Sequence, residues 1–229
     1  MSEVRRVLLV GATGLVGTRV MELCVGRDDV RLVALTRREA PMPKRARMEM
    51  VVADPADWPR AIARMAPDAV ICALGTTWRK AGQDEAAFRA VDEALVLRVA
   101  RAARAAEVSN FVLVSSVGAD RASRAFYLRV KGDVEAALRK LRFPRLDILR
   151  PGLLRGPRRG DRRVGERIAI WLSPLGNLFL YGSRRRFRAI DARLVARAAL
   201  RAATEKARGT FVHDNDAILR LARRLDGAE

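Results

Sequence analysis

Residues 7–17 read Val-Leu-Leu-Val-Gly-Ala-Thr-Gly-Leu-Val-Gly, and no other stretch of the 229-residue chain restricts its fold as much. Four consecutive apolar residues are a buried strand. Glycines at 11, 14 and 17 follow at once, and Val20, Met21, Leu23 and Cys24 supply the apolar positions of a helix. Strand, glycine turn and helix in this order form a phosphate-binding βα unit. Gly11 permits the tight turn, Gly14 lets the backbone approach a pyrophosphate, and Gly17 lets helix and strand pack closely. The helix N-terminus adds free N–H groups and the positive end of its dipole. The plainer reading is a turn that only closes a βα corner.

Apolar runs then alternate with helical stretches. Strand two, residues 30–35, ends in Thr36-Arg37-Arg38. Residues 39–47, with two prolines and several charges, read as a loop. A short strand over 48–53 ends at Asp54-Pro55, and Asp57 can cap a helix to about Met65. Strand four, residues 68–74, closes with Gly75-Thr76-Thr77. A long helix over 85–106 places Val91, Leu95, Val99 and Ala102 at helical spacing. Strand five, 111–114, leads into Ser115-Ser116. A helix over 123–141 and strand six, 146–149, follow, ending at Arg150-Pro151-Gly152.

This alternation predicts an α/β fold of the Rossmann type, a doubly wound parallel sheet with right-handed crossovers, as a single domain over 1–229. Beyond residue 153 the pattern changes. Residues 155–190 read as a short C-terminal cap, a small lid region on the substrate side. It is basic at first, apolar around Trp171 and over 178–181, and basic again at 184–188. Asp191 caps a helix to about Thr204, residues 210–212 form a last strand, and Asp214 or Asn215 caps a final helix over 217–225.

Charge sets the competing reading. There are 45 Lys+Arg against 26 Asp+Glu, a formal +19, and only Lys44, Lys80, Lys131, Lys140 and Lys206 are lysines. Arginine spread this evenly is compositional bias as much as a patch, yet such a chain attracts polyanions in low salt. Aromatic content is 5% and no stacking platform is interleaved with the arginines, so specific nucleic-acid recognition is not expected. Cys24 and Cys72 lie in apolar runs and read as buried free thiols in a reducing compartment. No signal peptide and no transmembrane helix are expected, which predicts a cytoplasmic location. Two cysteines and the single His213 cannot assemble a metal site, and His213 reads as structural.

The candidate chemistry lies on the helix after strand five. Tyr127 and Lys131 stand four residues apart, hence on one face. A free tyrosine, with a pKa of about 10, is a poor acid or base at neutral pH; a nearby ammonium stabilises its phenolate. The pair can then exchange a proton with a carbonyl or alcohol oxygen during hydride transfer. Ser115 or Ser116, at the end of strand five, can donate a hydroxyl to the same oxygen. At the end of strand two an NAD-preferring site would hold an acid. Here Arg37 and Arg38 stand there, suited to a 2′-phosphate, so NADP(H) is preferred over NAD(H). Two arginines in a solvated loop are the plainer alternative.

These motifs together resemble the short-chain dehydrogenase/reductase superfamily, and within it the atypical, extended-type group that includes the Tat-interacting-protein oxidoreductases and their bacterial relatives. The resemblance rests on Gly-Ala-Thr-Gly-Leu-Val-Gly (11–17), Cys-Ala-Leu-Gly-Thr-Thr (72–77), Phe-Val-Leu-Val-Ser-Ser-Val-Gly-Ala-Asp (111–120), Tyr-Leu-Arg-Val-Lys-Gly (127–132) and Leu-Arg-Pro-Gly-Leu-Leu (149–154). It implies that Gly11, Thr13, Gly14, Leu15 and Val16 line the pyrophosphate, and that Arg37 with Arg38 holds the 2′-phosphate. Asp54 would lie near the adenine, with Leu74 and Gly75 beneath the cofactor ribose. Pro151, Gly152 and Leu153 would border the nicotinamide. Tyr127 would be the acid/base, Lys131 its partner and a ribose contact, and Ser116 or Ser115 the third member. One departure is plain: many classical members have Asn-Ala-Gly where this chain has Ala73-Leu74-Gly75.

The sequence therefore predicts an NAD(P)H-dependent oxidoreductase acting on a small-molecule carbonyl or secondary alcohol. The alternative is an NADP(H)-binding regulatory or assembly protein with little turnover. It would reach a protein partner, or an anionic membrane surface, through the basic C-terminal region.

Overall fold

The computed structural model describes residues 4–79, 81–156 and 188–225. β1 (Arg5–Val10) leads through the glycine turn into α1 (Leu15–Leu23), followed by β2 (Val30–Thr36), β3 (Glu49–Val52), α2 (Trp58–Met65) and β4 (Ala69–Cys72). Then come α3 (Glu85–Arg89), a π-helical turn (Ala90–Leu95), α4 (Val96–Ala105), β5 (Asn110–Val114), α5 (Phe126–Lys140) and β6 (Arg145–Leu149). Two short strands, β7 (Leu154–Arg155) and β8 (Ile190–Asp191), precede α6 (Ala192–Thr204), β9 (Gly209–His213) and α7 (Asn215–Arg223).

The seven main strands lie in the order β3-β2-β1-β4-β5-β6-β9, and every neighbouring pair is parallel. The chain winds one way from β1 to β3 and the other way from β4 onward. The reversal leaves a crevice outside the carboxyl ends of β1 and β4, where such sheets bind ligands. This is the α/β, doubly wound parallel sheet read from the sequence. The strands are near-continuous apolar runs because helices cover both faces. Val7 and Leu9 point into a core shared with α1, α6 and α7; Leu8 and Val10 point into one with Trp58, Phe111 and Leu138.

Several local expectations need correction. The helix expected over 85–106 is not one α-helix, because the Ala90–Leu95 turn is π-helical. Asp57 adopts helical backbone and its side chain caps nothing; Asp54 instead accepts from the Ala56 amide at 2.8 Å in a local turn. The helix expected from residue 123 starts at Phe126, since the preceding loop is held by Asp120, whose amide donates to the Leu128 carbonyl. β7 and β8 form a separate two-stranded parallel pair that the sequence reading missed. Asp191 and Asp214 do cap α6 and α7 as expected, accepting from Arg193 and Ala217. Of the cap expected over 155–190, residues 157–187, with Trp171 and the basic run from Arg184, lie outside the described residues.

Candidate functional site

The glycine turn is built by contacts that exclude a side chain. Gly11 has φ +89°, and a Cβ there would lie 2.4 Å from the Ala73 carbonyl oxygen at the end of β4. At Gly17 a Cβ would lie 2.2 Å from the Gly11 oxygen, so α1 rests directly on the turn. Gly14 is the N-cap of α1, and the first turn of that helix carries no acid. The amides of Leu15, Val16 and Gly17 have no acceptor within the helix and open on the crevice end. Thr18 turns its hydroxyl inward to the Gly14 carbonyl at 2.9 Å, while Thr13 is exposed. Val16 is buried, so it offers a backbone N–H and no side chain. The residues present fit a pyrophosphate.

At the carboxyl end of β2, Arg37 and Arg38 are exposed and pair with nothing among the described residues. Just before them the Thr36 hydroxyl is buried without a hydrogen-bond partner. Asp54 is exposed, one carboxylate oxygen held by Ala56.

On the other side of the switch point, Leu74 is half-buried and Gly75 exposed where β4 ends. Beneath them is a buried ion pair. Lys131 Nζ lies 2.8 Å from Asp92 Oδ1, with side-chain exposures of 5% and 0%. Asp92 Oδ2 accepts from the Thr76 amide at 2.7 Å. Burial draws the Lys131 pKa down, but the charge of Asp92, then that of Tyr127, outweigh it, so the net shift is upward; the contact with Asp92 Oδ1 is an ion pair whose geometry is not that of a hydrogen bond. Lys131 Nζ lies 5.9 Å from the centre of the Tyr127 ring. Tyr127 is 37% exposed on the first turn of α5, its ring edge-on to Phe88. Gly132 lets α5 approach the loop: a Cβ there would meet the Arg121 amide at 2.4 Å.

The two serines differ. Ser115 is buried and donates its hydroxyl to Glu135 Oε1 at 2.6 Å; Arg150 closes on the same carboxylate through Nε and Nη2. That hydroxyl links β5 to α5. Ser116 is half-buried, and among the described residues its hydroxyl donates to the neighbouring Val117 carbonyl at 3.3 Å. Pro151 is buried, Leu153 is 55% exposed, and the Gly152 amide donates to Asn215 Oδ1 at 2.9 Å. Residues 151–153 are thereby tethered to the start of α7. His213 is structural as expected: Nε2 lies 2.7 Å from the buried Asp147, which Arg145 also grips.

Sequence reasoning missed Asp92, Glu135 and Asn215. Asp92 carried a signal, since it continues the buried face of Phe88 toward Leu95 and Val96, and a carboxylate at a core position demands a partner. Glu135 lies one turn beyond Lys131 on α5 and carried the same signal. Among the described residues no His, Cys, Asp or Glu group is placed to hold a metal, and no helix is long and apolar enough to cross a membrane.

Residues 11–169 match a protein-family profile described as NAD(P)H-binding. A rat relative, protein HTATIP2, is 34% identical over 228 residues, covering 97% of this chain and 91% of that protein. The chain belongs to this NAD(P)H-binding family of atypical short-chain dehydrogenases/reductases. Other members are fungal. Protein FMP52, mitochondrial, of Lodderomyces elongisporus is 35% identical over 187 residues, covering 73% of this chain and 78% of its own. The Aspergillus niger protein of that name is 32% identical over 210 residues, covering 89% and 88%. Among solved structures, Bordetella bronchiseptica WbmH in complex with NAD+ superposes with a TM-score of 0.70 at 17% identity, covering 96% of this chain and 80% of that one. MoeE5, solved with UDP-glucose and NAD, gives 0.68 at 16% identity, covering 97% and 82%. At these identities the structures show a shared fold. The cytoplasmic location expected from composition is overturned by the family, whose fungal members are named mitochondrial; reduced, buried cysteines do not distinguish the two compartments.

Proposed function

We propose that this chain is an NADP(H)-dependent oxidoreductase that reduces a carbonyl or oxidises a secondary alcohol. The observation that carries the reading is the Tyr127–Lys131 pair, set by α5 beside the carboxyl ends of β4 and β5, with the lysine ammonium buried and the tyrosine partly open. When bound, the nicotinamide supplies or accepts the hydride. The chain handles the proton. In reduction, the Tyr127 hydroxyl gives its proton to the carbonyl oxygen as the carbonyl carbon gains hydride; in oxidation the phenolate takes it back. Lys131 holds its ammonium 5.9 Å from the centre of that ring. Ser116 is the serine free to polarise the substrate oxygen, since Ser115 is held by Glu135. Leu74 and Gly75 floor the ribose side, and Pro151, Gly152 and Leu153 border the nicotinamide side.

Tyr127→Phe keeps the ring and removes the proton. Turnover should fall by at least about a hundredfold, with the cofactor dissociation constant unchanged in a fluorescence titration. Retained turnover would sink the acid/base role. Loss of cofactor binding would make Tyr127 a packing residue instead.

Cofactor preference rests on the end of β2. Arg37 and Arg38 pair with nothing among the described residues, they stand at the position where an NAD-preferring site holds an acid, and the Thr36 hydroxyl is buried without a hydrogen-bond partner beside them. A bidentate guanidinium–phosphate contact is worth about 1.5–3 kcal/mol. Replacing Arg37 and Arg38 together by alanine should therefore weaken NADPH binding by roughly 10- to 100-fold and leave NADH binding unchanged. Equal effects on both cofactors would reduce the arginines to surface charge.

A further inference from the structure

Among the described residues the two aromatic side chains most open to solvent are Trp78, 39% exposed, and Tyr127, 37% exposed. We propose that Trp78 is the specificity-determining residue of the site: its indole is the platform for an aromatic ring carried by the carbonyl substrate, which is therefore an aryl ketone or aldehyde. The reaction on that substrate rests on the oxidoreductase reading; the binding of its ring does not.

Trp78 lies in the loop between β4 and α3, at the carboxyl end of the sheet, where folds of this kind bind ligands. Its backbone is fixed on both sides. The Thr76 amide donates to Asp92 Oδ2 at 2.7 Å, the Ala81 amide to the Thr77 carbonyl at 3.0 Å, and the Gln83 amide to the Trp78 carbonyl at 3.0 Å. The indole is fixed by other rings. Centre to centre it lies 5.4 Å from Phe126, edge-on, and 6.3 Å from Phe88, tilted. Phe88 lies in turn 5.7 Å from Tyr127. The indole and the phenol that handles the proton thus rest on one fully buried ring. Edge-to-face packing sets the angle of each ring against the next, so Trp78 is ordered before any ligand arrives.

Of the four rings, Trp78 is the one with surface to spare for a ligand. Phe88 is buried. Phe126 is half-buried, and the guanidiniums of Arg89 and Arg129 stand over it at 5.3 and 5.8 Å. Tyr127 has to present its hydroxyl to the reacting oxygen. A carbonyl held at that hydroxyl therefore has an aromatic wall beside it. Leu153, 55% exposed beyond β6, adds apolar surface at the same end of the sheet. Binding sites are built this way, mostly apolar and aromatic with a few placed polar groups. A wall that is already ordered orients a flat ring at little further entropic cost. The competing role for Trp78 is to cover Phe88 and Phe126. Cover alone would affect all carbonyl compounds alike, whereas a platform favours those that carry a ring.

The test compares acetophenone with butanone, two methyl ketones of which one carries a ring. Their binding to the full chain loaded with NADP+ is measured by saturation-transfer NMR, where no turnover occurs. Wild type should prefer acetophenone. Trp78→Leu should cut that preference by roughly 3- to 10-fold, the usual worth of one aromatic pair, and Trp78→Phe should keep most of it. A preference that Trp78→Leu leaves unchanged overturns the proposal, whether both affinities hold or both fall together. If the leucine variant does not fold, the wild-type chain labelled with 5-fluorotryptophan takes its place. Tryptophan occurs at 58, 78 and 171, and the Trp78 fluorine resonance is the one missing from Trp78→Phe. Acetophenone should shift that resonance more than butanone does; equal shifts, or none, overturn the proposal. Ring-dependent binding in a protein that reduces neither ketone with NADPH would leave the platform standing and sink the oxidoreductase reading. Reduction of both ketones with no dependence on Trp78 would do the reverse.

Discussion

Gly17→Ala should destabilise the fold by about 3 kcal/mol, the upper end of the overpacking range, although alanine is the better helix former. Propensity alone favours the substitution by ~1 kcal/mol. Packing opposes it and wins. The added methyl would stand 2.2 Å from the Gly11 carbonyl oxygen and 2.8 Å from the Ala12 Cα. Both neighbours are backbone and cannot rotate away, so α1 must lift off the turn. That lift spreads, because Val16, Val20 and Met21 pack from α1 into the core shared with α6. Against a typical total stability of about 5–15 kcal/mol, the loss is a large fraction, and cofactor binding goes with it. Gly14→Ala is the control. Its Cβ would meet the Gly11 oxygen at 3.2 Å with an ordinary φ of −76°, so the loss should stay near 1 kcal/mol. Chemical denaturation of both variants checks this. Equal stabilities would show that α1 shifts without cost.

The contrast between those glycines shows where sequence reading succeeds. The roles of Gly11 and Gly17 follow from strand, turn and helix adjacent in the chain, and adjacency is what a sequence displays. The parallel strands were legible for the same reason, each a short apolar run bounded by turn residues. What the sequence hides is pairing across distance. Ser115 looked like a substrate donor because it ends β5, but its hydroxyl is taken by Glu135, twenty residues on. Asp57 looked like a cap, but Asp54 forms the turn and α2 begins without side-chain help. β7 and β8 are two residues each, too short for any periodicity. Asp92 was passed over because a helix wheel assumes uniform winding, and the π-helical turn breaks that winding at that point. Location escaped for a different reason: nothing in core packing or charge balance records the compartment.

Removing Lys131 while leaving Asp92 should have the other large effect. Lys131→Met is expected to cost about 3–5 kcal/mol, the usual loss when one member of a buried ion pair goes and its partner stays. Asp92 would keep the Thr76 amide and lose its counter-ion in a site where its side chain has no exposure. Deleting both charges should behave differently. Lys131→Met with Asp92→Leu leaves no orphan ion, and apolar replacements of buried pairs are often neutral or stabilising by about 1–4 kcal/mol. The double variant should therefore recover most of the loss, and the non-additivity measures the coupling. The pH dependence has a definite sign. The Lys131 pKa is raised on folding despite the burial that opposes it. A raised folded value contributes stability that is complete below the unfolded value and lost as pH climbs through the folded one. The single-variant loss should therefore be flat between about pH 6 and 9, and shrink only in stronger alkali. A deficit that appears only over part of that neutral range would mean another group, and not the Lys131–Asp92 pair, holds α5 to the end of β4.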